Sequence, residues 1–337
     1  MKTLHLKPDQ SGLFEAVQIL KGAGIVAVPT ETVYGLAADA LDEKAVAKIF
    51  SAKGRPQNNP LIVHTDTLEN AQKLFTLVTP LESERLKKLA CAFWPGPLTI
   101  VAQKAPHIPS ITTGGLATVG VRIPRHDATL KIMSMLGLPL AMPSANQSTR
   151  PSPTSVKHVL TTLDGRIDAI VVGESCDVGI ESTIVRIDGH KPVLLRLGMI
   201  SQSMIEKCLG ENVETSMHNK GERPEAPGCA YLHYSPSVAS VRLTEMAEAH
   251  DWWAQDVMLL MREGDYDALQ KVHGLRQSAF DQVLSDDPHV FAKQLYGALH
   301  ACEDRPQKHL VIVLPPADSA FSAIRDRLQR TERLQSL

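Results

Sequence analysis

The chain has 337 residues, 43% apolar and 21% charged, with 35 Lys and Arg against 37 Asp and Glu for a formal charge of −2. That length accommodates two domains with real cores, and the near-neutral balance excludes the global basicity of a dedicated nucleic-acid binder, leaving room only for a local basic cleft. Five cysteines (Cys91, Cys176, Cys208, Cys229 and Cys302), odd in number and without a C-x-x-C pair, exclude a disulfide framework and a structural zinc site.

Residues 1–12 are polar, contain Pro8 and lack an apolar h-region, and no apolar run is long enough to span a bilayer, so a cytosolic protein without signal peptide or membrane span is expected. Leu13, Val17 and Leu20 mark a helix face that Gly22 and Gly24 end, and a buried strand follows at 25–28. Ala45, Val46, Ile49 and Phe50 mark a second helix before a strand at 61–64. Further strands are expected at 98–102, 119–123, 139–142, 169–172, 183–187 and 193–196. The irregular spacing predicts a mixed sheet in an α/β domain rather than a regular doubly wound one.

A stretch rich in Gly, Pro, Glu, His and Asn at 211–236 lacks apolar periodicity and reads as an interdomain linker. The expected organisation is a first domain at 1–210, a linker at 211–237 and a smaller α/β domain at 238–337. The second domain's strands are expected at 238–243, 257–261 and 310–314, with Phe291, Leu295 and Leu299 on one helix face and a charged helix at 319–335.

Five clusters could carry chemistry. Pro29-Thr30-Glu31-Thr32 follows a strand, where hydroxyls and a carboxylate suit a ligand and equally suit a turn capping a helix. Lys53-Gly54-Arg55, with Asn59 and His64 beyond, offers an ammonium and a guanidinium in one turn, either a polyphosphate clamp or a solvated loop. Arg122 interrupts the apolar strand that starts near Thr118 and needs a carboxylate or phosphate, in a ligand or in a structural ion pair. Ser144 and Asn146, alternate residues of an extended segment, face one site, and Ser152 follows; turn chemistry is the other reading. Glu181-Ser182-Thr183 precedes a strand ended by a further arginine, Arg196. There is no G-x-x-x-x-G-K-[ST] loop, no G-x-S-x-G elbow and no H-E-x-x-H.

Taken in order, PTETVYGL, KGRPQNNPLIVH, WPGPLT, VGVRIP, PSAN, SPT, ESTIVRI and LLRLG resemble the YrdC-like threonylcarbamoyl-AMP synthase family in its long two-domain form. PGCAYLHYSP resembles that family's interdomain motif. The resemblance implies a twisted mixed-sheet α/β domain with a concave cleft, plus a Rossmann-like C-terminal domain. It implies that L-threonine, bicarbonate and ATP, with Mg²⁺, yield threonylcarbamoyl-AMP and pyrophosphate. Separate transfer proteins then modify tRNA at the adenosine next to the anticodon.

Carried over by motif, Thr32, His64, Arg122, Met142 and Ser182 stand at threonine-binding positions, with Arg122 on the carboxylate. Arg55, Asn59, Thr118, Ser144, Asn146, Ser152, Arg196 and Tyr234 stand at ATP-binding positions, and Lys53 with Arg55 would stabilise the phosphates in catalysis. Three departures stand out. Met142 replaces a smaller residue and narrows the threonine pocket, Ala230 and Leu232 replace the usual Lys and Arg of the linker, and Gln147-Ser148-Thr149 lacks the usual Ser-Gly. An RNA-binding or ribosome-maturation factor and a degenerate adenylate-binding regulator are the alternatives; 4% aromatic residues speak against the first. A carbamoyltransferase module ranks last, because its relatives carry zinc-finger cysteines.

Overall fold

The computed structural model describes residues 2–216, 226–227, 233–276, 278, 280–303, 305 and 309–333. They fall into two compact units: Met1–Ser148, Pro153–Asp177 and Glu181–Cys229 form the first, and Thr149–Ser152, Val178–Ile180 and Ala230–Leu337 the second. Two short segments near the middle of the chain therefore belong with the C-terminal unit, which no single linear boundary captures. Ala230, Leu232 and most of the expected linker lie outside the described residues.

The first unit runs β1 (Leu4–Leu6), α1 (Gln10–Lys21), β2 (Val26–Val28), β3 (Gly35–Asp39), α2 (Glu43–Lys53), β4 (Ile62–His64), α3 (Leu68–Gln72), α4 (Pro80–Phe93), β5 (Leu98–Gln103) and β6 (Thr118–Arg122). It continues with α5 (Asp127–Leu136), β7 (Leu140–Ala141), α6 (Val156–Leu163), β8 (Ala169–Val171), β9 (Thr183–Arg186), β10 (Val193–Arg196), α7 (Gln202–Leu209) and β11 (Glu214–Thr215). Eleven strands make one mixed sheet in the order β1-β8-β2-β3-β7-β4-β6-β5-β9-β10-β11. Both faces are buried, which explains the continuous apolar runs of its strands. Val26, Val28 and Ala37 pack with the apolar stripes of α1 and α5. Ala27, Leu36 and Ala38 turn to the other face, where α2, α4, α6 and α7 cover the sheet.

Helix boundaries follow from caps. Asp9 and Asp42 accept backbone N–H groups at the starts of α1 and α2. Thr79 and Glu82 form a capping box at α4 with Pro80 in the first turn. Arg85, 1% exposed on α4, gives Nε and Nη2 to Glu211 at 2.8 and 2.6 Å and its remaining N–H groups to the carbonyls of Ile187, Gly189 and His190. All five guanidinium protons are thereby satisfied.

The second unit has a four-stranded parallel sheet of β12 (Ser240–Thr244), β13 (Met258–Arg262), β14 (Gln282–Leu284) and β15 (His309–Val313), ordered β12-β15-β13-β14. Helices α8 (Glu263–His273), α9 (Pro288–Ala301) and α10 (Ser322–Gln329) connect or follow these strands. Phe291, Leu295 and Leu299 are each fully buried on one face of α9. Gly179, with φ 81°, approaches α9 so closely that an added Cβ would lie 2.4 Å from the Ala292 carbonyl oxygen, so only glycine fits.

The mixed sheet and the smaller parallel sheet match the expected fold class. The expected strands appear, 193–196 with the bounds expected and the others shifted, trimmed or extended by one or two residues. Strands β1, β3, β11 and β14 and helices α3 to α8 are elements that the structure adds to those expected from the sequence.

Candidate active site

The segment after β2 is a turn and caps no helix. Thr30 Oγ1 accepts from the Thr32 and Val33 amides at 3.2 Å and donates to the Val33 carbonyl at 2.6 Å, while standing 2.9 Å from Thr32 Oγ1. This hydroxyl turn fixes Glu31 between two anchored threonines before the chain returns as β3, antiparallel to β2. The next residue into β3, Gly35, is held against Met142: a Cβ there would lie 2.4 Å from Met142 Cγ.

Lys53 ends α2 and is 1% exposed. Its Nζ donates to the Ser144 and Asn146 carbonyls, each at 2.5 Å, and lies 3.4 Å from Asn146 Oδ1. The ammonium thus fastens the Ser144–Asn146 loop. Burial, then the adjacent Arg55 charge, holds the Lys53 amine well below the usual lysine range. Gly54 takes the left-handed cap conformation, and Arg55 turns to the following loop. Its Nη2 bonds Asn59 Oδ1 at 2.6 Å and the Pro60 carbonyl at 2.9 Å, and Nε bonds the Asn59 carbonyl at 3.3 Å. The clamp expected of Lys53 with Arg55 therefore divides: Arg55 orders Asn59, and Lys53 orders the S-x-N loop.

His64 and Arg122 are register partners at the ends of parallel strands β4 and β6. His64 Nδ1 is 3.3 Å from the Ile62 carbonyl, and burial, reinforced by the Arg122 charge, holds the imidazole well below its usual range. Arg122 Nε donates to the Gly96 carbonyl at 3.2 Å, and Nη2 stands 2.7 Å from Glu31 Oε2. That ion pair is close but misaligned: neither Glu31 oxygen nor Arg122 Nη2 has a hydrogen-bond partner. The sequence marks Glu31 only as the carboxylate of the hydroxyl cluster and does not pair it with Arg122, for which a carboxylate or phosphate was sought.

On β10, Arg196 Nε donates to the Ser182 carbonyl at 3.0 Å, Nη2 to Ser182 Oγ at 3.1 Å and Nη1 to the Pro227 carbonyl at 2.7 Å. Ser182 Oγ is also 2.8 Å from Thr99 Oγ1, a partner invisible to sequence reading. Thr118, half-buried, lines a crevice of about 10 Å³ with Thr99, Thr113, Ala226 and Pro227, room for one water. The sites of Thr32, Arg55, Asn59, His64, Thr118, Arg122, Met142, Ser144, Asn146, Ser182 and Arg196 all belong to the first unit.

Ser152 and Tyr234 belong to the second. There the Ser152 carbonyl faces His300 Nε2 at 3.3 Å, Arg150 pairs with Glu303 at 3.0 Å, and the Thr149 carbonyl accepts from the Ser235 amide at 2.9 Å. Tyr234, 1% exposed with φ 63°, lies 5.4 Å from the Tyr296 ring under the Arg327 guanidinium at 5.7 Å.

Residues 18–198 match a family profile described as Telomere recombination, of the Sua5, YciO and YrdC proteins, and residues 200–331 match the Threonylcarbamoyl-AMP synthase, C-terminal domain. A Threonylcarbamoyl-AMP synthase of Pyrococcus abyssi is 45% identical over 225 residues, covering 66% of this chain and 65% of that protein. One of Bacillus subtilis is 42% identical over 238 residues, covering 70% and 68%. The chain thus spans about two thirds of these relatives in sequence. In structure the likeness extends further: P. abyssi Sua5 complexed with L-threonine superposes with a TM-score of 0.86 at 32% identity, covering 98% of this chain and 97% of that one.

Proposed function

The chain belongs to the Sua5–YciO–YrdC family, and we propose that it makes threonylcarbamoyl-AMP and pyrophosphate from L-threonine, bicarbonate and ATP. The observation that carries this reading is the match along almost the whole chain to a structure that holds L-threonine. The reaction is a nucleotidyl transfer: a carbamate oxygen attacks the α-phosphorus of ATP, and the bond to the β-phosphate oxygen breaks. The adenylate then passes to separate proteins that modify tRNA, so tRNA is an indirect partner. The setting is cytoplasmic; no helix among the described residues is long and apolar enough to cross a membrane.

A carbamate and a polyphosphate repel each other, and cations in the cleft lower that barrier. Arg55 and Arg196 fill this role, with Asn59, Thr118, Ser144 and Asn146 holding the nucleotide. Lys53 is a positioning residue for the S-x-N loop. Arg122 receives the threonine carboxylate, and Thr32, His64, Met142 and Ser182 line the rest of that pocket. Holding the two reactants together supplies the remaining advantage, with no covalent enzyme intermediate. Among the described residues no three His, Cys, Asp or Glu side chains gather as a metal site. Mg²⁺ would accompany ATP and offset the charge of its phosphates, and no step is assigned to it.

The test is pyrophosphate release from ATP and Mg²⁺ with bicarbonate and threonine, valine or no amino acid, with mass identification of the adenylate. Release that needs both threonine and bicarbonate, and falls in Arg55→Ala, is expected. Valine should compete poorly, because a pocket that pairs the threonine hydroxyl is left with unpaired polar groups by the isostere. Amino-acid-independent turnover, or none, overturns the reading.

A further inference from the structure

Buried charges are ordinarily paired and hydrogen-bonded, because each unmet partner costs free energy. The end of β6 breaks that rule in one place. Glu31 is 2% exposed and Arg122 4%. Their charges touch at 2.7 Å, yet Glu31 Oε1, Glu31 Oε2 and Arg122 Nη2 are all buried without a hydrogen bond. His126, whose ring is within reach of the Glu31 charge, adds a fourth buried atom in the same condition, Nδ1. A pair kept for stability would be aligned, since a buried ion pair repays its desolvation only with good geometry and further hydrogen bonds. The Glu31 backbone is set by the Thr30 turn, and Arg122 is anchored through Nε to the Gly96 carbonyl.

An unsatisfied carboxylate beside an unsatisfied guanidinium is the complement of a zwitterion. A free α-amino acid carries a carboxylate and an ammonium on one shared carbon. Inserted here, its carboxylate meets Arg122 Nη2 and its ammonium meets Glu31. Both protein charges stay buried and both gain the hydrogen bonds they lack.

We propose that Glu31 receives the α-ammonium of the amino-acid substrate and takes from it the proton that must leave before the nitrogen can attack bicarbonate. This rests on the proposed function and gives a role to the one carboxylate of the PTETVYGL motif, to which the resemblance assigned none. The step balances. An N–H bond of the ammonium breaks and its proton forms an O–H bond on Glu31, leaving a neutral amine. The nitrogen lone pair then forms the N–C bond to bicarbonate. The bicarbonate C–OH bond breaks, and its hydroxide leaves as water with the second nitrogen proton. A carbamate of charge −1 results. Glu31 returns its proton to solvent when the site opens. A carboxylate in direct contact also explains how a nitrogen that arrives protonated becomes nucleophilic in a buried site.

The test pairs a change in the protein with the matching change in the ligand, using the full chain. Threonine and 3-hydroxybutyrate, which is threonine without its amino group, are titrated calorimetrically into wild type and Glu31→Gln. Pyrophosphate release at saturating threonine is measured in parallel, and far-ultraviolet circular dichroism checks the fold. In the wild type threonine should bind about tenfold to a hundredfold more tightly than 3-hydroxybutyrate. In Glu31→Gln the two should bind within a few-fold of each other, and the saturated rate should fall about a hundredfold or more. Equal binding of the two ligands by the wild type overturns the proposal without any variant, as does a Glu31→Gln enzyme that keeps either the preference or the saturated rate. If the wild type releases no threonine-dependent pyrophosphate, the proposed function itself fails, and that outcome is read before any variant is made. The wild-type comparison stands even if Glu31→Gln does not fold.

Discussion

Lys53 Nζ and the Asn146 carbonyl oxygen stand 2.5 Å apart inside the first unit, and the Ser144 carbonyl shares the same ammonium at the same distance. A lysine in a K-x-R motif reads as a hand offered to phosphate; here it grips its own backbone. Lys53→Met keeps the stem and removes the donor, leaving two buried carbonyls unmet. We expect a loss of about 2–4 kcal/mol and a melting temperature lower by roughly 5–15 °C, read by differential scanning fluorimetry. Unchanged melting with lost nucleotide affinity would return Lys53 to the phosphates.

The contact between Gly35 and Met142 invites a two-step repair. Gly35→Ala drives a Cβ to 2.4 Å from Met142 Cγ, an overpacking expected to cost about 1–3 kcal/mol. Met142→Ala in the same chain should restore much of that loss, because it vacates the space the new methyl needs. Denaturant unfolding of both single variants and the double gives the coupling, expected at about 0.5–3 kcal/mol. Strict additivity would show that Met142 does not set the requirement for glycine.

Much of this was legible in the sequence, and the residues show where legibility stopped. Apolar periodicity marked α1, α2 and the central strands, because those elements bury whole faces or stripes. Strand β3, read as Gly-Leu-Ala-Ala-Asp, has no β-branched residue and is a strand only because β2 and β7 pair with it on either side. For the site, motif spacing located Arg122 and Arg196 but not their partners. Glu31 lies 91 residues from Arg122 and Thr99 lies 83 from Ser182; only the sheet order brings them together. The K-x-R pair was expected to act as one clamp, since side-chain direction at a helix end is set by tertiary contacts and leaves no mark on spacing. The grouping of Thr149–Ser152 with the C-terminal unit has no local signal either.

Arg85 should be a stability residue with no part in ligand binding. Arg85→Leu strands Glu211 and three carbonyls, and Glu211 is itself part-exposed, which places the cost near the lower end of a broken buried pair, about 3 kcal/mol. Hydrogen bonding to Arg85 lowers the Glu211 carboxyl from its usual value. Because the folded-state pKa is the lower one, this stabilisation is complete above the usual carboxylate range and is lost as pH falls through the folded value. Arg85→Leu should therefore melt lower than wild type at neutral pH and approach it in acid, with threonine affinity unchanged by calorimetry.

The cysteines should separate cleanly by reactivity. Burial pushes the Cys176 and Cys302 thiols up to about 12, so at pH 8 roughly one molecule in ten thousand carries either thiolate. Cys91 is exposed. Iodoacetamide at pH 8 followed by peptide mass mapping should label Cys91 in the native protein, and label Cys176 and Cys302 only after denaturation. Rapid native alkylation of Cys176, whose thiol bonds the Thr30 backbone beside the hydroxyl turn, would mean that the turn opens readily.

His64 gives the protein an acid-sensitive core. Its ring is 2% exposed, and burial, then the Arg122 charge, holds its pKa well below the usual histidine value, with the Ile62 carbonyl opposing weakly. The contact to that carbonyl requires Nδ1 to carry the proton and leaves Nε2 as an acceptor. The unfolded chain takes up a proton near pH 6.5 and the folded chain does not, so the unfolded state binds more protons as pH falls below that value. Stability should fall with pH across this window by up to about 1.4 kcal/mol per pH unit. His126, also lowered mainly by burial, adds to the slope with the same sign. His64→Gln keeps a donor and an acceptor but cannot titrate. Its melting temperature should drop less than that of the wild type between about pH 7 and pH 5. Parallel pH curves for the two proteins would mean that His64 is protonated in the folded state, and the neutral, Arg122-facing imidazole of this site would have to be abandoned.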